Sequence, residues 1–305
     1  MADRSYNIDG IAPVRSIEDV LALEDAPSAA PGERGFRGPS HFMPTGRVFG
    51  GQILAQAIVA ASRTVPEGRF VHSLHGYFLR GGDTGLPVDF SVETLHDGGS
   101  FSQRRVQALQ HGEPILSLIT SFQTRDRGLE HAIRPPEGIP SPEDLPTTEE
   151  TLQGAPELFR RYFSDYRAFR MRHYPSPIYT DVDPATEDIP FQAVWIQTRQ
   201  GLDDDPVTHA AALAYASDYT VFEPILRRHG ISWSRPGLLT ASLDHAMWFH
   251  RPARADEWVL YVQESPTAQG GRGLTLGHMF TRDGELIATV GQEGLIRLPE
   301  FRPER

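Results

Sequence analysis

The chain alternates between two patterns of apolar and polar positions. Residues 51–62, Gly-Gln-Ile-Leu-Ala-Gln-Ala-Ile-Val-Ala-Ala-Ser, are apolar with few breaks and rich in helix formers, and the pair Gly50-Gly51 marks where the run begins. They predict a helix. Shorter strand-like runs follow at 70–79, 88–95, 104–110 and 115–122, the last two separated by His111-Gly112-Glu113. Short runs joined by glycine-containing turns predict an antiparallel meander. The pattern then lapses. Residues 126–190 hold Pro/Glu-rich and Pro/Asp-rich stretches around an aromatic segment at 157–172, which reads as a short helix or a packing segment. This region reads as a linker lying across the surface. Ahead of residue 45 only Val20-Leu21-Ala22-Leu23 is apolar, before a Pro/Gly/Ser-rich stretch.

From Phe191 the first pattern returns. A strand is predicted at 194–198, then a helix at 209–228 that Gly230 ends and Pro224 kinks or splits. Strand-like runs at 238–243, 258–263, 274–281 and 286–290 complete it, the last two joined by Arg282-Asp283-Gly284-Glu285. The halves match in order. Phe49-Gly50-Gly51-Gln52 lies 166 positions before Tyr215-Ala216-Ser217-Asp218, Phe90-Ser91-Val92-Glu93-Thr94 lies 171 before Tyr261-Val262-Gln263-Glu264-Ser265, and Gly112-Glu113 lies 172 before Gly284-Glu285. The chain reads as two copies of one unit: a strand, a long helix, and an antiparallel meander that wraps the helix. That unit is the hot-dog fold. The prediction is an α+β double hot-dog, two antiparallel sheets each wrapped around a long helix, with domains at 1–125 and 191–305 and a linker at 126–190.

Composition narrows the chemistry. The 305 residues include no cysteine and no lysine; all 29 basic residues are arginine, Asn7 is the single asparagine, and the net charge is −11. No thiolate can serve as nucleophile or soft metal ligand, and no lysine can form a Schiff base or serve a Walker A loop. No disulfide can form, so nothing argues for secretion. The scarcity of Lys and Asn fits drift in a G+C-rich genome. No stretch approaches the roughly 18 apolar residues that would suggest a membrane span, so no stable membrane insertion is expected. The start, Met-Ala-Asp-Arg-Ser-Tyr-Asn-Ile-Asp-Gly, is polar and does not read as a secretory signal, and the final Arg-Pro-Glu-Arg is not the Ser-Lys-Leu peroxisomal address. The expected location is cytoplasmic. The acidic balance argues against nucleic acid as a partner.

Several segments resemble one family. They are Arg47-Val48-Phe49-Gly50-Gly51-Gln52-Ile53-Leu54-Ala55-Gln56-Ala57, Val71-His72-Ser73-Leu74-His75-Gly76-Tyr77-Phe78-Leu79-Arg80, and Val92-Glu93-Thr94-Leu95-His96-Asp97-Gly98-Gly99-Ser100-Phe101-Ser102 in the first half. In the second half they are Tyr215-Ala216-Ser217-Asp218, Ser242-Leu243-Asp244-His245-Ala246-Met247-Trp248-Phe249-His250-Arg251 and Gln292-Glu293-Gly294. In order and spacing these are similar to the type II acyl-CoA thioesterases, over roughly 20–125 and 190–298. The resemblance implies hydrolysis of fatty acyl-CoA to free fatty acid and CoA. It also implies a catalytic trio of Asp218, Ser242 and Gln292, no cofactor or metal, and homo-oligomeric assembly.

The residues suit that chemistry. A thioester carbonyl is already activated, because sulfur donates little electron density to it. It needs a positioned water, a base and donors for the oxyanion. Asp218 can be the base, while Ser242 and Gln292 both donate and accept and stay neutral. Gln52 stands opposite Asp218 in the repeat, so one active centre per chain is expected. The second half would build it, and the first would supply fold and a wall of the acyl tunnel. Gly270-Gly271-Arg272-Gly273 reads either as a simple turn or as a place where Gly271 and Arg272 meet the pantetheine or a phosphate of the substrate. Asp244, His245 and His250 suggest a metal site or a Ser-His-Asp relay; a structural cluster with Trp248 and Phe249 is the stronger reading, and His72 and His75 are equally open. No Gly-x-Ser-x-Gly elbow is present, which disfavours an α/β-hydrolase. A non-catalytic acyl-CoA-binding protein and an enoyl-thioester hydratase are the alternatives.

Overall fold

The computed structural model describes residues 16–186, 189 and 191–301. The polar start at 1–10 and the final Arg-Pro-Glu-Arg lie outside the described residues. The first half contains α1 (Ile17–Leu21), β1 (Glu24–Ala26), β2 (Arg34–Gly38), α2 (Gly50–Ser62), β3 (Arg69–Phe78), β4 (Val88–Asp97), β5 (Phe101–Gln110) and β6 (Glu113–Thr124). Between the halves lie α3 (Thr148–Thr151), α4 (Glu157–Asp165) and β7 (Phe169–Tyr174). The second half contains β8 (Gln192–Thr198), α5 (Pro206–Ser217), α6 (Glu223–Arg228), β9 (Leu239–Ser242), β10 (Asp244–Phe249), β11 (Val259–Gln269), β12 (Arg272–Phe280) and β13 (Leu286–Arg297).

Among the described residues thirteen strands form one antiparallel sheet in the order β1-β2-β4-β5-β6-β3-β10-β13-β12-β11-β8-β7, with β9 paired to β13. The order is symmetric about a seam. Outward from it, β3, β6, β5, β4 and β2 are answered by β10, β13, β12, β11 and β8. At the seam Asp244 opposes Tyr77, Ala246 opposes His75 and Trp248 opposes Ser73. The internal repeat is thus realised as two hot-dog sheets fused edge to edge, each relieving the other of one exposed edge.

The helices lie against the inner face. Every residue of α2 from Gly51 to Ala61 is buried. A helix apolar all round must be covered on all sides: here the sheet covers one side and α5 the other, and the two helices touch where the start of α2 meets the end of α5. Two hairpin turns are closed by pairs of residues with positive φ, His111-Gly112 and Gly270-Gly271, as the tightest hairpins require.

Two regions differ from the sequence expectation, and a third follows it. Residues 126–190 do not all run across the surface: β7 pairs with β8 and extends the second half's sheet, with Phe169, Met171 and His173 buried. Its alternation is short and interrupted by arginines, which masked it. The strand β2, the first half's counterpart of β8, sits inside the Pro/Gly-rich stretch and escaped notice because it is five residues long and contains two glycines. The helix expected at 209–228 is split, as Pro224 demands: α5 stops at Ser217 and α6 starts at Glu223, with the proline in its first turn. Gly230 has φ +62°, and the bonds from Gly230 N to Arg227 O and from Ile231 N to Leu226 O close α6 with a Schellman motif. No helix among the described residues is long and apolar enough to cross a membrane.

Candidate active site

Asp218, Ser242 and Gln292 come from three different elements and meet at one point. Asp218 is the residue at which α5 ends, so its side chain projects from a helix terminus. Ser242 is the last residue of β9, and Gln292 lies on the inward face of β13. The Gln292 amide donates to Asp218 Oδ1 at 2.8 Å and to Ser242 Oγ at 2.9 Å, and Ser242 Oγ donates to Asp218 Oδ1 at 3.2 Å. Asp218 and Gln292 are buried, and Ser242 is half-buried.

The other oxygen of the carboxylate is held by the first half. Gly51 N–H, in the first turn of α2, donates to Asp218 Oδ2 at 2.9 Å. The positive end of α2 therefore faces the carboxylate. This explains the glycine pair. A Cβ at Gly50 would lie 2.6 Å from Asp218 Oδ2, and one at Gly51 would lie 2.3 Å from the Tyr215 carbonyl oxygen. Only glycine lets the two helix termini approach this closely.

Burial pushes the Asp218 carboxyl up to about 6, against the opposing pull of hydrogen bonds from Gln292, Gly51 and Ser242. At neutral pH it is ionised, and it is a stronger base than an ordinary aspartate. Behind it stands an aromatic wall. Phe49 and Tyr219 stack at 4.9 Å, and together with Gln52, Tyr162, Arg167 and Tyr215 they line a small cavity. Arg167 lies 4.6 Å from the Tyr219 ring centre and 4.2 Å from that of Phe163. Tyr162 and Arg167 belong to the connecting region, so all three parts of the chain surround the site.

One group that sequence reasoning set aside, His245, belongs to this constellation, together with Ser217. His245, on β10, is buried; its Nδ1 bonds Gln292 Oε1, and its Nε2 lies 3.1 Å from Ser217 Oγ. Burial lowers its pKa to about 4, so it is neutral. Strict alternation would put Ser242 and His245 on opposite faces of one strand. The strand breaks at Leu243, whose N–H bonds Glu293 O and whose carbonyl accepts from Phe78 N–H, and that break turns both side chains inward. The ordered motif Ser242-Leu243-Asp244-His245 was the signal available. Asp244 and His250 do not join them: Asp244 accepts from Glu293 N–H at 2.7 Å, and His250 bonds Thr289 Oγ1 at 2.8 Å. His75 packs edge-on against Trp248 and His72 bonds Ser121 Oγ, both away from the trio.

Gly271 and Arg272 are not brought to the site. Gly271 is half of a two-residue hairpin turn, and Arg272 pairs with Glu293 at 3.0 Å. Leu274 opposes Glu293 while Thr275 opposes Gln292. Arg272 therefore lies on the face of the sheet opposite Gln292. Gln52, the counterpart of Asp218 in the repeat, is used structurally: it donates to Pro39 O at 2.9 Å and accepts from His41 N–H at 3.1 Å.

Comparison with known proteins gives this geometry a family. Residues 177–295 match the model of the acyl-CoA thioesterase family, and residues 39–123 match that of the acyl-CoA thioesterase N-terminal domain. The chain is 38% identical to acyl-CoA thioesterase 2 of Haemophilus influenzae, covering 98% of this chain and 100% of that protein. It is 40% identical to human acyl-coenzyme A thioesterase 8, covering 86% of this chain and 84% of that one. The crystal structure of acyl-CoA thioesterase II TesB2 from Mycobacterium marinum superposes with a TM-score of 0.75 at 43% identity, covering 94% of this chain and 100% of that chain. The fold and its relatives define a double hot-dog thioesterase. Within that class, the chain belongs to the type II, TesB-like acyl-CoA thioesterase family.

Proposed function

We propose that this protein hydrolyses fatty acyl-CoA to free fatty acid and CoA by attack of a water held by Asp218, Ser242 and Gln292. One observation carries the reading. Two polar side chains distant in sequence, Ser242 and Gln292, bond each other and converge within hydrogen-bond distance on the buried Asp218 carboxylate, whose pKa is raised to about 6. In this mechanism Asp218 takes a proton as the water oxygen bonds the thioester carbon. The carbonyl electrons move onto oxygen, next to the Gln292 amide and the positive end of α2. When the tetrahedral intermediate collapses, the carbon–sulfur bond breaks, and the proton on Asp218 passes to the departing CoA sulfur. The step needs no covalent enzyme intermediate. General-base help of this kind is worth about 10²–10⁴-fold.

Phe49 from the first half and Tyr215 and Tyr219 from the second form an aromatic surface beside Asp218 that suits the acyl group. The two hot-dog units at 1–125 and 191–305, with one active centre between them, are part of the same reading. So are a cytoplasmic location, resting on the cysteine-free composition, and a homo-oligomer, resting on the outer sheet face discussed below.

The test is thiol release from acyl-CoAs of graded chain length, followed with a disulfide dye; the protein has no thiol to add background. Turnover well above the buffer rate, abolished in Asp218→Asn, is the expected result. Binding of acyl-CoA without turnover would favour the non-catalytic alternative.

A further inference from the structure

We propose that His245, held by Ser217, is a positioning residue: as the Nδ1–H tautomer it fixes the Gln292 amide with its N–H groups toward Asp218 and Ser242. This rests on the reading of the trio given above.

A glutamine amide has a donor end and an acceptor end of nearly the same shape. Turned by 180°, Gln292 would place Oε1 against Asp218 Oδ1, oxygen against oxygen, and would donate nothing to Ser242. Something must fix its orientation. Only one other side chain bonds the amide among the described residues, and it is His245, whose Nδ1 meets Oε1. That contact is complementary only if Nδ1 carries the hydrogen.

The far side of the ring sets the tautomer. Ser217 Oγ lies 3.1 Å from His245 Nε2 and 2.8 Å from Ala214 O. If the Ser217 hydroxyl pointed only to Ala214 O, Nε2 would need its own hydrogen to bond Oγ. The ring would then carry two hydrogens and a charge, which its complete burial disfavours. A neutral ring bonded to Oγ through an Nε2 hydrogen would instead face Oε1 with a lone pair. With Nδ1–H donating to Oε1, the neutral ring leaves Nε2 as an acceptor, and the single Ser217 hydroxyl hydrogen, which bonds Ala214 O at 2.8 Å, is shared with it as a three-centre bond. Ser217 is itself fixed, because Tyr261 Oη donates to its carbonyl at 3.2 Å.

The chain of bonds closes on itself. It runs from Ser217 to His245, to Gln292, to Asp218, and Ser217 and Asp218 are neighbours at the end of α5. A closed ring of this kind gives the amide one orientation and joins β10, β13 and the helix terminus into a single cradle. His245 touches no reacting atom in this scheme. It acts through Gln292.

Two measurements test this. Nitrogen-15 NMR of histidine-labelled wild-type protein, with the His245 signal assigned by its absence from a variant, reads the tautomer directly. The expected state is Nδ1–H, and an Nε2–H ring overturns the proposal without any question of folding. The second is kinetic. His245→Asn keeps a donor where Nδ1 stood, whereas His245→Gln keeps a group near Nε2 and loses that donor. His245→Gln is expected to lower kcat roughly 100-fold with KM changed by less than about a factor of two, while His245→Asn retains most activity. The acidic limb of the rate profile should move to higher pH in His245→Gln, because the donation that holds the Asp218 carboxyl down is lost. Equal loss in both variants, or wild-type kcat with an unmoved limb in His245→Gln, overturns the inference and leaves the trio standing. Turnover surviving in Asp218→Asn would sink the trio instead.

Discussion

Asp218 is buried and, at neutral pH, charged, and the two states are in tension. Its carboxyl titrates near 6 rather than near 4. The protonated form is therefore the one the folded protein prefers. The contribution of this group to stability is greatest below about pH 4 and is lost as pH rises through about 6. The difference corresponds to at most about 3 kcal/mol of strain in the ionised state. Asp218→Asn is then expected to remove activity while raising the thermal midpoint at pH 7.5, and the gain should shrink as pH falls toward 4. Differential scanning calorimetry at both pH values checks this; a mutant less stable than wild type at pH 7.5 would contradict it. For the wild type, kcat/KM should rise with pH through about 6 as the base ionises. A flat profile from pH 5 to 8 would remove Asp218 from that role.

At the scale of elements, the site depends on close approaches that particular glycines allow. The start of α2 and the end of α5 meet through Gly50 and Gly51. Gly51→Ala would set a Cβ against the Tyr215 carbonyl, a backbone atom that cannot swing aside. It is expected to cost about 2–3 kcal/mol of stability and to lower kcat as well, since the Gly51 N–H is a ligand of Asp218. A chemical-denaturation curve beside a turnover assay separates the two effects. The Gln-Glu-Gly motif on β13 divides its work by face. Gln292 points inward to the trio, the Glu293 carboxylate pairs with Arg272 on the other side while its backbone N–H donates to Asp244 Oδ1, and Gly294 leaves room for the Phe222 ring, which a Cβ would meet at 1.7 Å. Arg272 is an exposed strut between β12 and β13 in this picture. Arg272→Ala should leave kcat and KM within about a factor of two, as surface ion pairs of this kind contribute little. A KM raised tenfold would instead make it a substrate contact.

The sheet turns one face to its helices; the connecting segment, through Ile139, Pro140 and Leu145, covers part of the other over β8, β11 and β12, and the rest stays open near the seam. Across the seam that outer face carries Tyr77, Ile119, Trp248 and Leu276, all exposed, in register from β6 to β12. Exposed apolar side chains grouped in this way suit a contact surface, and a second copy of the chain is the partner proposed above. Light scattering after gel filtration should give a mass above 33.9 kDa, and the pair Ile119→Glu with Trp248→Glu should shift it toward that of one chain. A wild-type monomer at micromolar concentration would refute the assembly.

Much of this was legible in the chain itself. The helix at 51–62, the two meanders, the split at Pro224 and the ordered repeat follow from local propensity, period and turn chemistry, which act over a few residues. So does the inventory of reactive groups: without Cys or Lys, thiol and Schiff-base chemistry are closed, while Asp218, Ser242 and Gln292 were nominated by the resemblance to the thioesterase family. Short strands were hidden where arginine, glycine and proline interrupt the alternation, as at β2 and β7. What tertiary structure alone decided is long-range. It fused two sheets through the seam of β3 and β10, brought the Gly51 N–H to a carboxylate in the other half, and turned His245 inward at the break beside Leu243. It also carried Arg272 to the far face. Burial, which sets the Asp218 and His245 pKa values, belongs to no residue by itself; it arises when distant segments pack together and exclude water from the space between them.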